Sequence, residues 1–345
     1  MTKTTFKITA TAPTRVDLAG GTLDLWPIHN LLDRKATVNV AVNLEATVTV
    51  VPSNDRLFHF ISEDQNIKDS GDLAAVTRSS KLYLFGLLLS AFWNKDLPPI
   101  TVTTKAKSPA GAGLGGSSCL AVAFCRAIAE ARKQFDRAYV IPTEEIIVRT
   151  AQDVESRVIH APTGVQDYWG GMRGGINILE YPFGHTTVTT LPGKFWTGED
   201  YTLMCCYSGK SRASAINNWE IFKRLFDGDK PLLDKIAAIG NEAADCAEAV
   251  LKGNWKDAME ASLREWKLRT ALWPAIETPE TKKIDLAAKE AGAMFTRVGG
   301  AGGGGVMGVI CPRERVSTVS KAMTAVGGQV MDVVVGGPGL TVTYG

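Results

Sequence analysis

Residues 108–118 read Ser-Pro-Ala-Gly-Ala-Gly-Leu-Gly-Gly-Ser-Ser, with glycine at 111, 113, 115 and 116 and a serine pair closing the run. A strand-like stretch, Ile100-Thr-Val-Thr-Thr, precedes it, and an apolar helical run from Cys119 to Ala131 follows. A glycine loop that opens a helix lets backbone N–H groups converge without side chains in the way. With the positive end of the helix dipole added, this is a phosphate cradle. Ser117 and Ser118 at the helix start can reach a phosphate oxygen or a bound magnesium ion.

The loop satisfies G-x-G-x-x-G, a weak signal alone. A dinucleotide site needs an acidic residue closing a second strand about twenty residues on, but Glu130 is still inside the helical run. A Walker loop fails because no lysine precedes Ser117. The other Lys-Ser pair, Lys210-Ser211, has Met204 where the first Walker glycine belongs. A plain packing turn would not call for a serine pair after four glycines.

Bulk properties narrow the classes. The chain has 345 residues, a formal net charge of +2, 45% hydrophobic and 21% charged residues. That allows one large or two ordinary domains and gives no electrostatic footprint for nucleic acid. No run of eighteen apolar residues suggests a membrane span, and the first residues, Met-Thr-Lys-Thr-Thr-Phe-Lys, lack the apolar core of a secretion signal. The six cysteines have no C-x-x-C pairing and lie mainly in apolar runs. They read as reduced core thiols of a cytoplasmic protein. The four histidines show no zinc spacing.

Strands are expected at 5–11, 36–51, 100–105, 175–179 and 201–207, with two more bracketing a last helix at 314–326. Helices are expected at 80–94, 117–132, 142–159, 213–226, 231–252, 254–271 and 279–291. The class is α+β, with residues 185–200 as the domain boundary: 1–195 and 196–345.

Three further constellations carry chemistry. On the 142–159 helix, Glu155 falls at the edge of the apolar stripe Ile147, Ala151, Val154, Val158, whereas Asp153 faces away. In the turn-rich stretch Thr163-Gly-Val-Gln-Asp-Tyr, Asp167 suits proton acceptance from a substrate hydroxyl if the turn lines a cleft. An Asx-turn satisfying its own backbone is the plainer reading. In Pro13-Thr-Arg-Val-Asp-Leu-Ala-Gly-Gly-Thr-Leu-Asp, Arg15, Asp17 and Asp24 surround a Gly-Gly turn. Carboxylates there suit hydroxyl-rich ligands, or form a solvated turn with a local ion pair. The run Gly299-Gly-Ala-Gly-Gly-Gly-Gly lets backbone approach a ligand or another loop closely.

Together and in this order, these features resemble the GHMP kinases, the superfamily of galactokinase, homoserine kinase, mevalonate kinase and phosphomevalonate kinase. The three family motifs match Pro13–Asp24, Pro109–Ser118 and Gly299–Gly305. The resemblance implies two α+β domains, an N-terminal glycine-loop domain and a ferredoxin-like C-terminal domain, with the active site in the cleft. It implies ATP and Mg2+ as cofactors. Pro109, Gly111, Gly113, Leu114, Gly115, Gly116, Ser117 and Ser118 would hold the ATP phosphates. Ser117 or Ser118, together with Glu155, would hold the metal; Gly116 stands where relatives often have serine. Asp167 would be the catalytic base and Arg15 the arginine beside it.

The first motif bears on the acceptor. Gly20-Gly-Thr-Leu-Asp24 keeps the late aspartate of galactokinases but lacks their Glu-His. It looks more like fucokinase and the D-glycero-D-manno-heptose phosphate kinases, as does Tyr207-Ser-Gly-Lys-Ser-Arg. These likenesses imply a sugar or sugar-phosphate acceptor phosphorylated at the anomeric hydroxyl. Asp24, Asp17, Gly21, Arg212 and Gly302 would be the substrate-binding residues, with Lys210 and Arg212 near any phosphate already present. The state expected is a monomer or homodimer. Two alternatives stay open: a kinase or ATP-dependent decarboxylase for a mevalonate-type acid, and a non-catalytic nucleotide sensor.

Overall fold

The computed structural model describes residues 5–78, 82–109, 111–193, 200–210 and 218–345. Its strands are β1 (Ile8–Ala19), β2 (Thr37–Pro52), β3 (Phe58–Ser62), β4 (Ile67–Gly71), β5 (Ile100–Ala106), β6 (Ile176–Glu180), β7 (Thr187–Leu191), β8 (Tyr201–Tyr207), β9 (Phe295–Val298), β10 (Val306–Pro312), β11 (Gln329–Met331) and β12 (Thr341–Tyr344). Its helices are α1 (Leu73–Val76), α2 (Tyr83–Phe92), α3 (Gly116–Phe135), α4 (Glu144–Ile159), α5 (Gln166–Arg173), α6 (Asn218–Phe226), α7 (Lys230–Leu251), α8 (Trp255–Leu272), α9 (Pro279–Glu290) and α10 (Val316–Ala325).

Eight strands form one sheet, ordered β12-β1-β2-β5-β3-β4, with β6 and β7 also attached through β2. Its spine is the long antiparallel pair β1–β2, whose register shifts between Ala12 and Thr14. Pro13 sits at that shift, where a residue without an N–H is tolerated. The remaining four strands form a second antiparallel sheet, ordered β11-β8-β10-β9.

The even-numbered residues of β2 serve two cores. Val38, Val40 and Val42 pack with residues of the second sheet and of α7, α8 and α9; Ala46, Val48 and Val50 pack with α2, α3 and α4. Helix α3 packs on β1, β2, α2, α4 and α5. That is why its sequence is apolar on nearly every side.

Four features depart from the expectations. β1 continues to Ala19, so Arg15 and Asp17 lie inside a strand rather than around a turn. Asp167 lies in the first turn of α5, not in a loop. That helix contains Gly170 and Gly171, which lie close against Arg15 and against Cys119 and the Pro13 carbonyl; glycine is selected there for close packing rather than for a turn. The 185–200 stretch contains β7, and position 195 lies outside the described residues. Finally, β12 returns to pair with β1 in the first sheet, so the last residues join the N-terminal half. A division at 195/196 does not anticipate that crossing.

All six cysteines are buried free thiols. Among the described residues no helix is long and apolar enough to cross a membrane.

Candidate active site

A cavity of about 660 Å³ lies against the glycine loop, lined by Ser108, Pro109, Gly111, Gly113, Gly115, Gly116, Ser117 and Ser118 together with Arg15, Asp24, Glu155 and Asp167. The loop turns through glycines with positive φ at 111, 113 and 115. Gly115 caps α3 in the left-handed region at φ 72°. A side chain there would come within 2.8 Å of the Asp167 carboxyl carbon. The loop thus needs glycine at 115 twice over, for its conformation and for the closeness of Asp167. Leu114 buries its side chain in the core, so any part it has in the phosphate set is through its backbone N–H, while its carbonyl accepts from the Arg15 N–H at 3.2 Å.

The C-terminal glycine run supports this loop from behind. Val306 N–H donates to the Ala112 carbonyl at 2.7 Å, and a Cβ on Gly305 would lie 2.5 Å from that same oxygen. Of the two partners open to that run, the structure shows the contact with another loop. Gly302 packs on Ile276 and does not line the cavity, although its neighbours Gly300 and Ala301 do.

Arg15 ties the parts together. Its Nε donates to Asp167 Oδ1 at 2.7 Å, and its Nη1 donates to the Gly113 carbonyl at 3.0 Å. Burial works against the guanidinium charge, but Asp167 and then Asp17 hold it above its ordinary value. Asp167 itself is partly exposed to the cavity. Beside it, the Gln166 N–H donates to Asp24 Oδ2 at 3.1 Å. Asp24 is almost wholly buried; that burial, and next the Asp167 charge, push its carboxyl up to about 6.

Glu155 is the hub of a hydroxyl cluster. Ser117 Oγ donates to its Oε1 at 2.5 Å, Ser118 Oγ to its Oε2 at 2.8 Å, and the Tyr168 hydroxyl to Oε2 at 2.6 Å. Ser117 is exposed and Ser118 buried. Among the described residues no group of three His, Cys, Asp or Glu side chains could hold a metal. One carboxylate flanked by hydroxyls at a phosphate loop is an all-oxygen donor set. That fits a magnesium ion held mainly through substrate phosphates. Asp153, as expected, faces solvent.

Asp17 does not reach the cavity. It is completely buried, with Oδ2 3.0 Å from Arg297 Nη2 and 3.2 Å from Arg269 Nη1, while Oδ1 accepts from Gly300 N–H at 3.0 Å. Burial opposes its charge, yet Arg297, Arg15 and Arg269 together hold the carboxylate well below the usual range. Gly21 packs against the Arg269 guanidinium, which occupies the space of its absent side chain. These two expected substrate contacts are therefore structural: an ion pair in the interior costs too much unpaired to serve as an open binding group. Arg212 lies outside the described residues, and Lys210 is exposed and paired with Glu280 at 2.5 Å.

Several cavity residues carried no motif signal. Arg269 lines the cavity from α8, and Asp64, Gln65 and Tyr83 line it from the β3–β4 hairpin and α2. The helical stripe of α8 is legible, but nothing local marks Arg269 as an inward-facing cation. Tyr168 follows Asp167 directly, and nothing local marks its hydroxyl as a partner of Glu155.

The comparisons agree with this architecture. Residues 82–175 match the family described as GHMP kinases N terminal domain, and residues 246–329 match GHMP kinases C terminal. The chain is 25% identical over 330 residues to the D-glycero-alpha-D-manno-heptose 7-phosphate kinase of Campylobacter jejuni, covering 93% of this chain and 94% of that one. It is 26% identical over 330 residues to the L-fucokinase/L-fucose-1-P guanylyltransferase of Bacteroides fragilis, covering 86% of this chain but only 34% of that longer protein. The crystal structure of a D-glycero-D-manno-heptose 1-phosphate kinase from Bacteroides thetaiotaomicron superposes with a TM-score of 0.76 at 19% identity, covering 97% of this chain and 98% of that one. The two family domains, in order and in the expected halves, place the chain: it belongs to the GHMP kinases.

Proposed function

We propose that this chain is an ATP-dependent kinase that transfers the γ-phosphoryl group to a hydroxyl of a sugar or sugar phosphate, at the anomeric carbon. The observation that carries the reading is the convergence of Asp167, Arg15 and Asp24 beside the glycine loop. Asp167 accepts the proton of the acceptor hydroxyl. That oxygen bonds to the γ-phosphorus as the bond to the β,γ-bridging oxygen breaks, releasing ADP. Backbone N–H groups of the loop and the Arg15 guanidinium stabilise the charge that develops. Arg15 also aims the Asp167 carboxylate through its Nε contact. Asp24 accepts hydrogen bonds from other acceptor hydroxyls; a carboxylate at that place disfavours a mevalonate-type acid.

Glu155 and Ser117 are the residues that would hold Mg2+, with Ser118 bonded to the inner carboxylate oxygen. When bound, the ion neutralises phosphate charge and clamps the transferring group. Anomeric transfer is supported by the Bacteroides fragilis relative, whose name couples a kinase to an enzyme of L-fucose-1-P. The anomeric hydroxyl is also the most acidic of a sugar, which suits a carboxylate base. The reduced, buried cysteines support a cytoplasmic site of action.

The test is a panel of free and phosphorylated hexoses and heptoses, with mevalonate-type acids alongside, assayed with ATP and Mg2+, with phosphorus NMR locating the new phosphate. Turnover of a sugar with a C1 phosphate product is expected. Turnover confined to mevalonate-type acids would overturn the reading.

A further inference from the structure

We infer that Tyr168 is a positioning residue that fixes the Glu155 carboxylate for cation binding, a role that rests on the kinase reading above. Tyr168 is fully buried, and its hydroxyl donates to Glu155 Oε2 at 2.6 Å. The buried Ser118 hydroxyl donates to the same oxygen at 2.8 Å. Oε2 is therefore occupied from the protein side by two donors, which is about the capacity of one carboxylate oxygen. Oε1 is different: its partner Ser117, at 2.5 Å, is exposed, and that hydroxyl is free to turn. The phenol thus leaves Oε1 as the oxygen offered to a cation and locks the plane of the carboxylate. Thr163 Oγ1, 3.3 Å from the phenol oxygen and itself 3.1 Å from Ser156 Oγ, braces the phenol in turn.

The location adds a second consequence. Tyr168 follows Asp167 in the first turn of α5. Asp167 is held by Arg15 on β1, while Tyr168 holds Glu155 on α4. One helical turn therefore sets the distance between the base and the cation carboxylate. A ligand orienter of this kind is part of a metal site although it never touches the ion.

The experiment is Mn2+ titration of Tyr168→Phe, with a non-hydrolysable ATP analogue present, following free Mn2+ by electron paramagnetic resonance. Phenylalanine fills the same space without the donor. Cation affinity is expected to fall about 10-fold or more, within the range for lost outer-shell partners. In turnover assays the rate should recover at saturating Mg2+, with the acceptor KM unchanged. Wild-type Mn2+ affinity in the folded variant would overturn the inference and return Tyr168 to simple packing. Glu155→Gln separates the two claims. If it too leaves Mn2+ affinity unchanged, the cation reading of Glu155 fails; if it weakens binding while Tyr168→Phe does not, only the positioning role fails. Should Tyr168→Phe not fold, Ser118→Ala strips the other donor from Oε2 and carries the same expectation, and unchanged Mn2+ affinity there overturns the inference as well.

Discussion

Arg15 on β1 and Asp167 on α5 are 152 residues apart in sequence and meet through Nε and Oδ1 at 2.7 Å, with the same guanidinium also holding the Gly113 carbonyl. One side chain thereby sets the distance between the proposed base and the phosphate loop. In the planar fork of an arginine, both contacts can be made at once.

Asp167→Asn removes the proton acceptor while keeping the shape. Turnover should fall by about 10²- to 10⁴-fold, with ATP still bound. Isothermal titration with a non-hydrolysable analogue and a single-turnover assay read the two quantities separately. Undiminished turnover would remove Asp167 from the role of base.

Asp24 should show a conflict between stability and function. Its carboxyl is pushed up to about 6 in the folded protein, first by burial and then by the Asp167 charge. The folded state therefore holds its proton more tightly, and the stability this provides is present below about pH 4 and lost as pH rises through about 6. At pH 8, Asp24→Asn should raise stability by on the order of 2–3 kcal/mol while abolishing sugar turnover. The stabilisation should vanish at pH 4, as urea unfolding at the two pH values would show. In the native enzyme, acceptor affinity should weaken below about pH 6 as the carboxylate is protonated.

Gly115→Ala tests the packing of loop against base. The new methyl would lie 2.8 Å from the Asp167 carboxyl carbon, at a φ of 72°. We expect a loss of about 1–2 kcal/mol in stability and a fall in kcat larger than any rise in acceptor KM. Wild-type kcat in this variant would mean that Asp167 does not need its place beside the loop.

Asp17→Ala should act through stability rather than contact with substrate. It leaves Arg297 and Arg269, both buried, without their shared carboxylate. Loss of a buried partner costs about 3–5 kcal/mol, and chemical denaturation would measure it. Because the Asp17 carboxylate is held well below its usual range, its contribution is complete above about pH 4 and disappears as pH falls through its lowered folded value.

Much of the fold was legible because its demands are local. The helices 231–252 and 254–271 emerge within one or two residues as α7 and α8, since an amphipathic period reports the face that will be buried. Two readings failed, and one pairing gave no signal, for physical reasons that no window of sequence contains. Arg15 and Asp17 looked like turn residues because charges rarely lie inside a strand, and here they do so only because partners arrive from α5, α8 and β9. α5 looked like a loop because of Gly170 and Gly171, whose small size answers β1 and α3 rather than a turn. β12 pairs with a strand more than 320 residues away, and no local signal encodes such a partner.

The conformation of the glycine loop was determined by its sequence alone: positive φ at three glycines and a helix start immediately after them are requirements of the local backbone. The edge position of Glu155 followed from helical periodicity in the same way. Only the tertiary structure decided that Asp17 belongs to a buried ion cluster while Asp24 faces the cavity, and that the last glycine run packs against the glycine loop while its Gly300 and Ala301 line the cavity. Burial and long-range pairing determine what a charge or a glycine does, and both are properties of the assembled chain.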